Sequence, residues 1–150
     1  MIELEDYCRS QNQEILLLKS ALEQMNEMVI ITEADLDNFD PKIIYVNPSF
    51  MEITGYTKEE IIGKTPKILQ GPESDRRMLD DLKRTLLNGH TFQGSTVNYK
   101  KDGTPYHVEW SIAPVKDESG EITHSVSVQR DITANVKTHK NLRDKIENKE

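Results

Sequence analysis

The chain has 150 residues, enough for one domain with a sizeable core plus extensions. Acidic side chains outnumber basic ones 26 to 19, for a formal charge of -7, which argues against a nucleic-acid or anionic-membrane surface because both need a basic patch. The single cysteine, Cys8, excludes an internal disulfide and a cysteine-rich zinc site; no apolar run approaches the ~18 residues of a membrane span, and residues 1–20 carry too many charges for a secretion signal.

From Ile2 to about Asn26 there is neither glycine nor proline. Leu4, Cys8, Gln11, Ile15, Leu18, Leu22 and Met25 recur alternately four and three apart, the seam of a coiled coil over about three heptads. The simpler alternative is one amphipathic helix packing on its own domain. "MVIIT" (28–32) and "KIIYV" (42–46) are short β-branched runs around the turn-rich "DLDNFDP", which predicts a hairpin. Asn47-Pro48 then opens a helix with Asn as cap and Pro at its first position, and Gly55 ends it. Thr57 to Glu60 has the pattern of a capping box, with Gly63 closing the short helix it opens. Thr65-Pro66 repeats the cap-plus-Pro arrangement. Ser74-Asp75 opens a longer helix with Met78, Leu79, Leu82 and Leu86 on one side, stopped at Asn88-Gly89.

The second half reads as β-structure. Turns at Lys101-Asp-Gly-Thr104 and Glu118-Ser-Gly-Glu121 separate strands at about 92–100, 104–116 and 121–132. A polar segment from Ala134 onward reads as a helix leaving the domain. It ends in "NLRDKIENKE" without a stop signal, so the chain is expected to be a fragment of a longer protein. The element order predicts an antiparallel α+β domain over 27–133, preceded by a helix over 1–26 and followed by a linker helix over 134–150.

Four blocks, "VNPSFMEITGYTKEEIIGK" (46–64), "NYKKDGTPY" (98–106), "APVKDESGEITH" (113–124) and "SVQRDIT" (127–133), together resemble a PAS domain. Within PAS, "GKTPKILQGPESD" (63–75) is similar to the flavin-contacting segment of the light-oxygen-voltage subfamily. The resemblance implies a five-stranded antiparallel sheet, short helices over one face, a small cavity between them, and a sensory or dimerising role. In that subfamily the fourth residue of the segment is the cysteine that forms the light-driven flavin adduct. Here it is Pro66, so adduct chemistry is excluded. The resemblance sets Lys67 and Lys83 where arginines meet the flavin phosphate, Gln70 at the ribityl chain, and Asn98 and Gln129 at the ring edge. A second ring-edge asparagine is replaced by Val108, which leaves one polar partner missing. The alternative is that Asn98 pairs across strands and both lysines are solvated.

Alternation puts Ser125, Ser127 and Gln129 on one face of the last strand, and Thr96 and Asn98 on one face of the first of the three. The resemblance turns these toward the cavity, with Val108, Trp110 and Ile112, and makes Asn98 and Gln129 neighbours on adjacent strands. Val97, Tyr99, Ala113, Val115, Val126 and Val128 then form an apolar outer face. Haem is disfavoured, because residues 75–87 contain no histidine. His90, His107, His124 and His139 show no ligand spacing, and no nucleophile–base pair is recognisable. "Asp80-Asp81" and "Asp117-Glu118" read as exposed faces. The expectation is therefore a cytoplasmic, non-enzymatic PAS module that relays a signal to a fused effector domain. It dimerises through the N-terminal helix and the outer sheet face, with no nucleic-acid and no direct membrane contact. The cavity is expected to hold no cofactor or a small-molecule ligand. The alternative is an FMN- or FAD-binding redox or light sensor, working without a cysteine by electron transfer and hydrogen-bond rearrangement near Gln129.

Overall fold

The computed structural model describes residues 2–35, 37, 38 and 40–148. Helix α1 (Ile2–Gln24) leads into β1 (Met28–Glu33) and β2 (Ile43–Val46). Helices α2 (Pro48–Thr54) and α3 (Lys58–Ile61), a 3-10 turn (Pro66–Leu69) and α4 (Arg76–Leu87) follow. The meander β3 (Phe92–Tyr99), β4 (Pro105–Lys116) and β5 (Ile122–Asp131) comes next, and α5 (Thr133–Glu147) ends the described chain. The strands form one antiparallel sheet in the order β2-β1-β5-β4-β3. Pairing of β1 with β5 joins the N-terminal hairpin to the C-terminal meander.

The register writes the inner face as rows running across the strands. Gly94, Trp110, Gln129 and Met28 make one row; Phe92, Ile112, Ser127, Ile30 and Val46 make the next. Directly opposed residues share a face, so Ser127 and Gln129 of β5 are flanked by apolar side chains from β4 and β1. Phe50, Ile61, Leu69, Leu82 and Leu86 of the helical layer close over Ile30, Ile43, Tyr106 and Val108 to make the core. Full burial of each such side chain contributes about 1.5–3 kcal/mol.

Local chemistry sets the helical boundaries. Asn47 caps α2 by accepting from Phe50 N, and Gly55 closes it at φ 81°, a conformation glycine adopts without Cβ strain. Thr57 and Glu60 form the reciprocal capping box on α3. Thr65 sits at the cap position of the 3-10 turn but makes no side-chain capping bond; Pro66 with its preset φ starts that turn alone. Asp75, not Ser74, caps α4, accepting from Arg77 N and Met78 N.

Candidate ligand site

The segment 63–75 has two halves with different duties. The first half, through Gln70, passes over the inner sheet face. The second half is fastened to β3, which is an edge strand. Ser74 Oγ donates to Val97 O at 2.7 Å and accepts from Gly71 N at 3.0 Å. Asp75 N donates to Thr96 Oγ1 at 2.9 Å, and Glu73 N to Tyr99 Oη at 2.9 Å. The Tyr99 ring lies across Gly71, where a Cβ would come within 2.3 Å of it. Tyr99 therefore leaves the outer face on which alternation placed it. Its chain position points outward, but its ring wraps the sheet edge to hold this loop.

Between the loop, α4 and the sheet lies a cavity of about 270 Å³, whose lining includes Lys67, Gln70, Lys83, Asn98 and Gln129. All five sequence-predicted residues meet at one place, although they span 63 positions from Lys67 to Gln129 and three kinds of element. Lys67 and Lys83 are exposed at the mouth; Asn98 and Gln129 are buried at 4% and 6% exposure. Two corrections follow. β4 lies between β3 and β5, so Asn98 and Gln129 are not on adjacent strands, and Trp110 stands opposite Gln129 in register. Thr96 and Val108 have the inward parity but are buried outside the cavity lining; the Thr96 hydroxyl is taken by the backbone of Asp75.

Several lining residues escaped the sequence reading, and the cation among them is the most telling. Arg76, the first residue of α4, lies at the mouth and donates to Gln70 Oε1 at 3.5 Å. Its signal was present: Arg76, Leu79, Asp80, Lys83 and Leu86 follow helical spacing and all line the cavity. Asp80, expected on an exposed face, is exposed and also lines the mouth. Lys67 is drawn toward Asp40, 3.7 Å away.

The polar atoms at the cavity floor are incompletely paired. Gln129 Nε2 donates to Ser127 Oγ at 2.9 Å, while Gln129 Oε1 and Trp110 Nε1 are buried without partners. Most buried polar groups are paired, so each exception calls for a cause. Tyr106 Oη is also unpaired, outside the cavity. Burial pushes its phenol up to about 12; the Asn98 side chain opposite opposes this without meeting hydrogen-bond geometry.

Both flanking helices are tied to the sheet close to this floor. Asn47, fully buried, accepts from Val29 N at 2.9 Å and Phe50 N at 3.2 Å through Oδ1. Its Nδ2 donates to Leu22 O at 3.1 Å and Glu27 O at 2.9 Å. Ser49 Oγ donates to Met25 O. The end of α1 is thus bonded to the cap of α2, and burial, then the Glu23 carboxylate, push the Tyr45 phenol upward. Elsewhere α1 buries nothing: Leu4, Ile15 and Leu18 remain exposed, and only Leu22 of the helix is half-buried. At the other end, Ile132 N donates to His107 O and His107 N to Thr133 Oγ1, both at 2.9 Å, so the start of α5 is clamped on β4. Asp131 Oδ1 accepts from Thr133 N at 3.0 Å and orders that turn. Two residues separate Gln129 from this clamp.

A family model of the PAS domain matches residues 26–134. The chain belongs to the PAS domain family. It is 34% identical over 116 residues to Phototropin-1A of Oryza sativa subsp. japonica, covering 77% of this chain and 12% of that protein. It is 40% identical over 94 residues to the "Blue-light-activated histidine kinase" of Brucella anthropi, covering 63% of this chain and 19% of that protein. The solved structure described as "Flavin Analogue Sheds Light on Light-Oxygen-Voltage Domain Mechanism" superposes with a TM-score of 0.71 at 26% identity, covering 87% of this chain and 94% of that one. The PAS chain spans at most about a fifth of these two curated relatives. The light-oxygen-voltage likeness that the superposition shows is one of fold.

The donor set fits a flavin in part. Cations at the mouth suit a phosphate, Gln70 stands at the neck, and the floor offers Asn98 and Gln129. The departures are Pro66, which has no thiol, and Val108, which offers no hydrogen bond. At about 270 Å³ the cavity sits just under the range of ~300–1,000 Å³ usual for small-molecule sites.

Among the described residues no helix is long and apolar enough to cross a membrane, and no cluster of three metal-ligating side chains occurs.

Proposed function

We propose that this PAS domain is a sensory module whose cavity binds a small polar ring compound, and whose flanking helices carry the change to a fused effector domain and to a second copy of the chain. One observation carries the reading. Residues scattered from Lys67 to Gln129 converge on one cavity, and its floor keeps a buried donor and a buried acceptor unpaired. A ligand meeting those atoms pulls on β4 and β5, the two strands that bracket the clamp on α5.

Dimerisation is proposed through α1 and the outer sheet face. The exposed seam of Leu4, Cys8, Ile15 and Leu18 has no cover among the described residues. On the outer face Val97, Ala113, Val126 and Val128 are half-buried and Val115 is exposed, joined by half-buried Ile31. Contiguous apolar surface of this kind marks interfaces. A seam of three heptads is marginal alone, so the sheet contact supports it. Parallel, in-register pairing sets Cys8 against Cys8 of the second copy. Mild oxidation is expected to give a disulfide-linked dimer at the rate of pairing, and light scattering a dimer that weakens when α1 is deleted. A full-length monomer at tens of micromolar, or an undiminished dimer without α1, overturns this assembly.

The second reading is a flavin sensor, favoured by Lys67, Arg76 and Lys83 at the mouth above Gln70, Asn98 and Gln129. A bound flavin supplies blue-light absorption and one-electron chemistry. The chain's own part is to hold the phosphate end at the mouth and the ring edge at the floor, and to exclude water with Ile30, Leu82 and Ile112. Purified protein that is yellow supports this reading; colourless protein that takes up no added FMN overturns it. If flavin binds, illumination gives no thiol adduct, because Pro66 has no nucleophile. Adduct-type bleaching that persists in Cys8→Ser would sink that statement.

A further inference from the structure

The mouth of the cavity carries both signs of charge. Lys67, Arg76 and Lys83 line it, but so do Asp35 and Asp80. A third carboxylate, Asp40, stands 3.7 Å from Lys67 Nζ. Three cations are thus set among three carboxylates, and the rim has no net formal charge.

The balance is built into residue order. On α4, Asp80 follows Arg76 by four positions and precedes Lys83 by three. Those are the spacings at which side chains meet on one helical face, and all three of these residues line the cavity. The other two acids come from the connection between β1 and β2. Asp35 opens it, fixed by a bond that its Oδ1 accepts from Asn38 N at 3.1 Å, and Asp40 lies near its end. The carboxylates therefore reach the rim from two separate elements, one on each side of the cations.

Charge of this kind acts on a ligand's tail. At about 270 Å³ the cavity is filled by a ring compound, so a tail on that ring lies at the rim. A phosphate brings about -1.5 to -2 charges at neutral pH. As it nears Lys67 it also nears Asp40, well inside the ~10 Å over which salt at 0.1 M screens charges. Attraction by each cation is offset by repulsion from the acid beside it. A hydroxylated tail without charge meets no such repulsion and hydrogen-bonds to either sign. The chain as a whole, at -7, adds no attraction for an anion.

We infer that the rim of this cavity discriminates by charge: Asp40 and Asp80 cancel the cations around them, and the site takes ring ligands with an uncharged tail rather than their phosphorylated counterparts. The inference rests on the cavity being a ligand site and deepens that reading by naming the charge class of its ligand.

Riboflavin and FMN are the probes, because they share ring and ribityl chain and differ by the phosphate alone. Affinities for the full chain are measured by calorimetry, and circular dichroism checks that each variant is folded. Wild type is expected to bind FMN no more than about twofold more tightly than riboflavin, a ratio unchanged when salt is raised from about 50 to about 500 mM. Asp40→Asn is expected to raise the FMN-to-riboflavin ratio about threefold, and Asp40→Asn with Asp80→Asn about tenfold, since each frees a cation at an exposed site. In the double variant the ratio should fall back as salt is added. Lys67→Gln, which leaves Asp40 without its cation, is expected to shift the ratio about threefold toward riboflavin. A wild-type preference for FMN above about threefold, or a ratio that Asp40→Asn and Asp80→Asn leave unmoved, overturns the inference while leaving the cavity a ligand site. Absence of binding heat with both probes, in wild type and in the double variant, overturns both.

Discussion

Two buried amides, 82 positions apart, divide this domain. Asn47 is wholly enclosed and uses its full capacity, with two bonds accepted and two donated, to bind the end of α1, the start of β1 and the cap of α2. Gln129 is nearly as enclosed but has one bond, to Ser127, and an oxygen left over. The same functional group, at similar burial, is saturated in one place and open in the other. A saturated buried amide specifies structure, since nothing else can satisfy so many neighbours at once. An open one carries a desolvation cost that only something entering the cavity can offset.

Mutation is expected to break this contrast most sharply at Asn47. Asn47→Ala strands the buried Val29 N and removes the donor from the half-buried Leu22 and Glu27 carbonyls, and should lower unfolding free energy by about 2–4 kcal/mol in urea melts. A loss under 1 kcal/mol would mean that water replaces the amide and that α1 is not anchored there.

Tyr106 sharpens the comparison, because its hydroxyl is unpaired yet lies outside the cavity. The unfolded phenol ionises near 10 and the folded one at about 12, so the native state holds the proton more tightly. Stability present below pH 10 should therefore fall by about 2–3 kcal/mol as pH rises from 10 to 12, then level off. Tyr106→Phe should abolish that alkaline decline in chemical melts while leaving ligand binding untouched. An unchanged decline would place the titration on another group.

A smaller effect is expected at the loop that roofs the cavity. Gly71→Ala pushes a Cβ against the Tyr99 ring, and should cost about 1–3 kcal/mol, the usual range for overpacking. Tyr99→Leu combined with Gly71→Ala should recover part of the loss, since the obstructing ring is gone. Strict additivity of the two would show that ring and glycine are not in contact.

The smallest effect is the most telling. Gln129→Leu and Trp110→Phe remove unpaired polar atoms, so unliganded stability should change by about 1 kcal/mol or less, in either direction. A loss as large as that of Asn47→Ala would mean that the floor is paired after all and that the two amides are alike.

Much of this was legible from residue order. The capping box at Thr57 and Glu60, the Asn47-Pro48 start of α2 and the Asp-Gly turn after Tyr99 are local rules that act within four residues, and each appears where it was read. Alternation grouped Asn98 with Thr96 and Gln129 with Ser127, the resemblance turned them inward with Trp110, and all of these residues are buried. Local rules also misplaced things. Thr65 looked like a cap because its type and its proline fit, yet its hydroxyl makes no capping bond. Tyr99 was set on the outer face by parity alone, which fixes the direction of a Cβ and not where a long ring ends.

What the sequence determined by itself is therefore the order and kind of the elements and which residues of a strand share a face, because periods of 2 and 3.6 and capping bonds are properties of neighbouring residues; which face is the inner one came from the resemblance. The tertiary structure alone decided that β4 lies between β3 and β5, that Trp110 stands beside Gln129, and that Asn47 reaches back to α1 while Gln129 does not find a second partner. Those facts depend on which strands pair and in what register. Pairing is settled by closing the whole sheet around its core, where residues a hundred positions apart meet and no local pattern records the outcome.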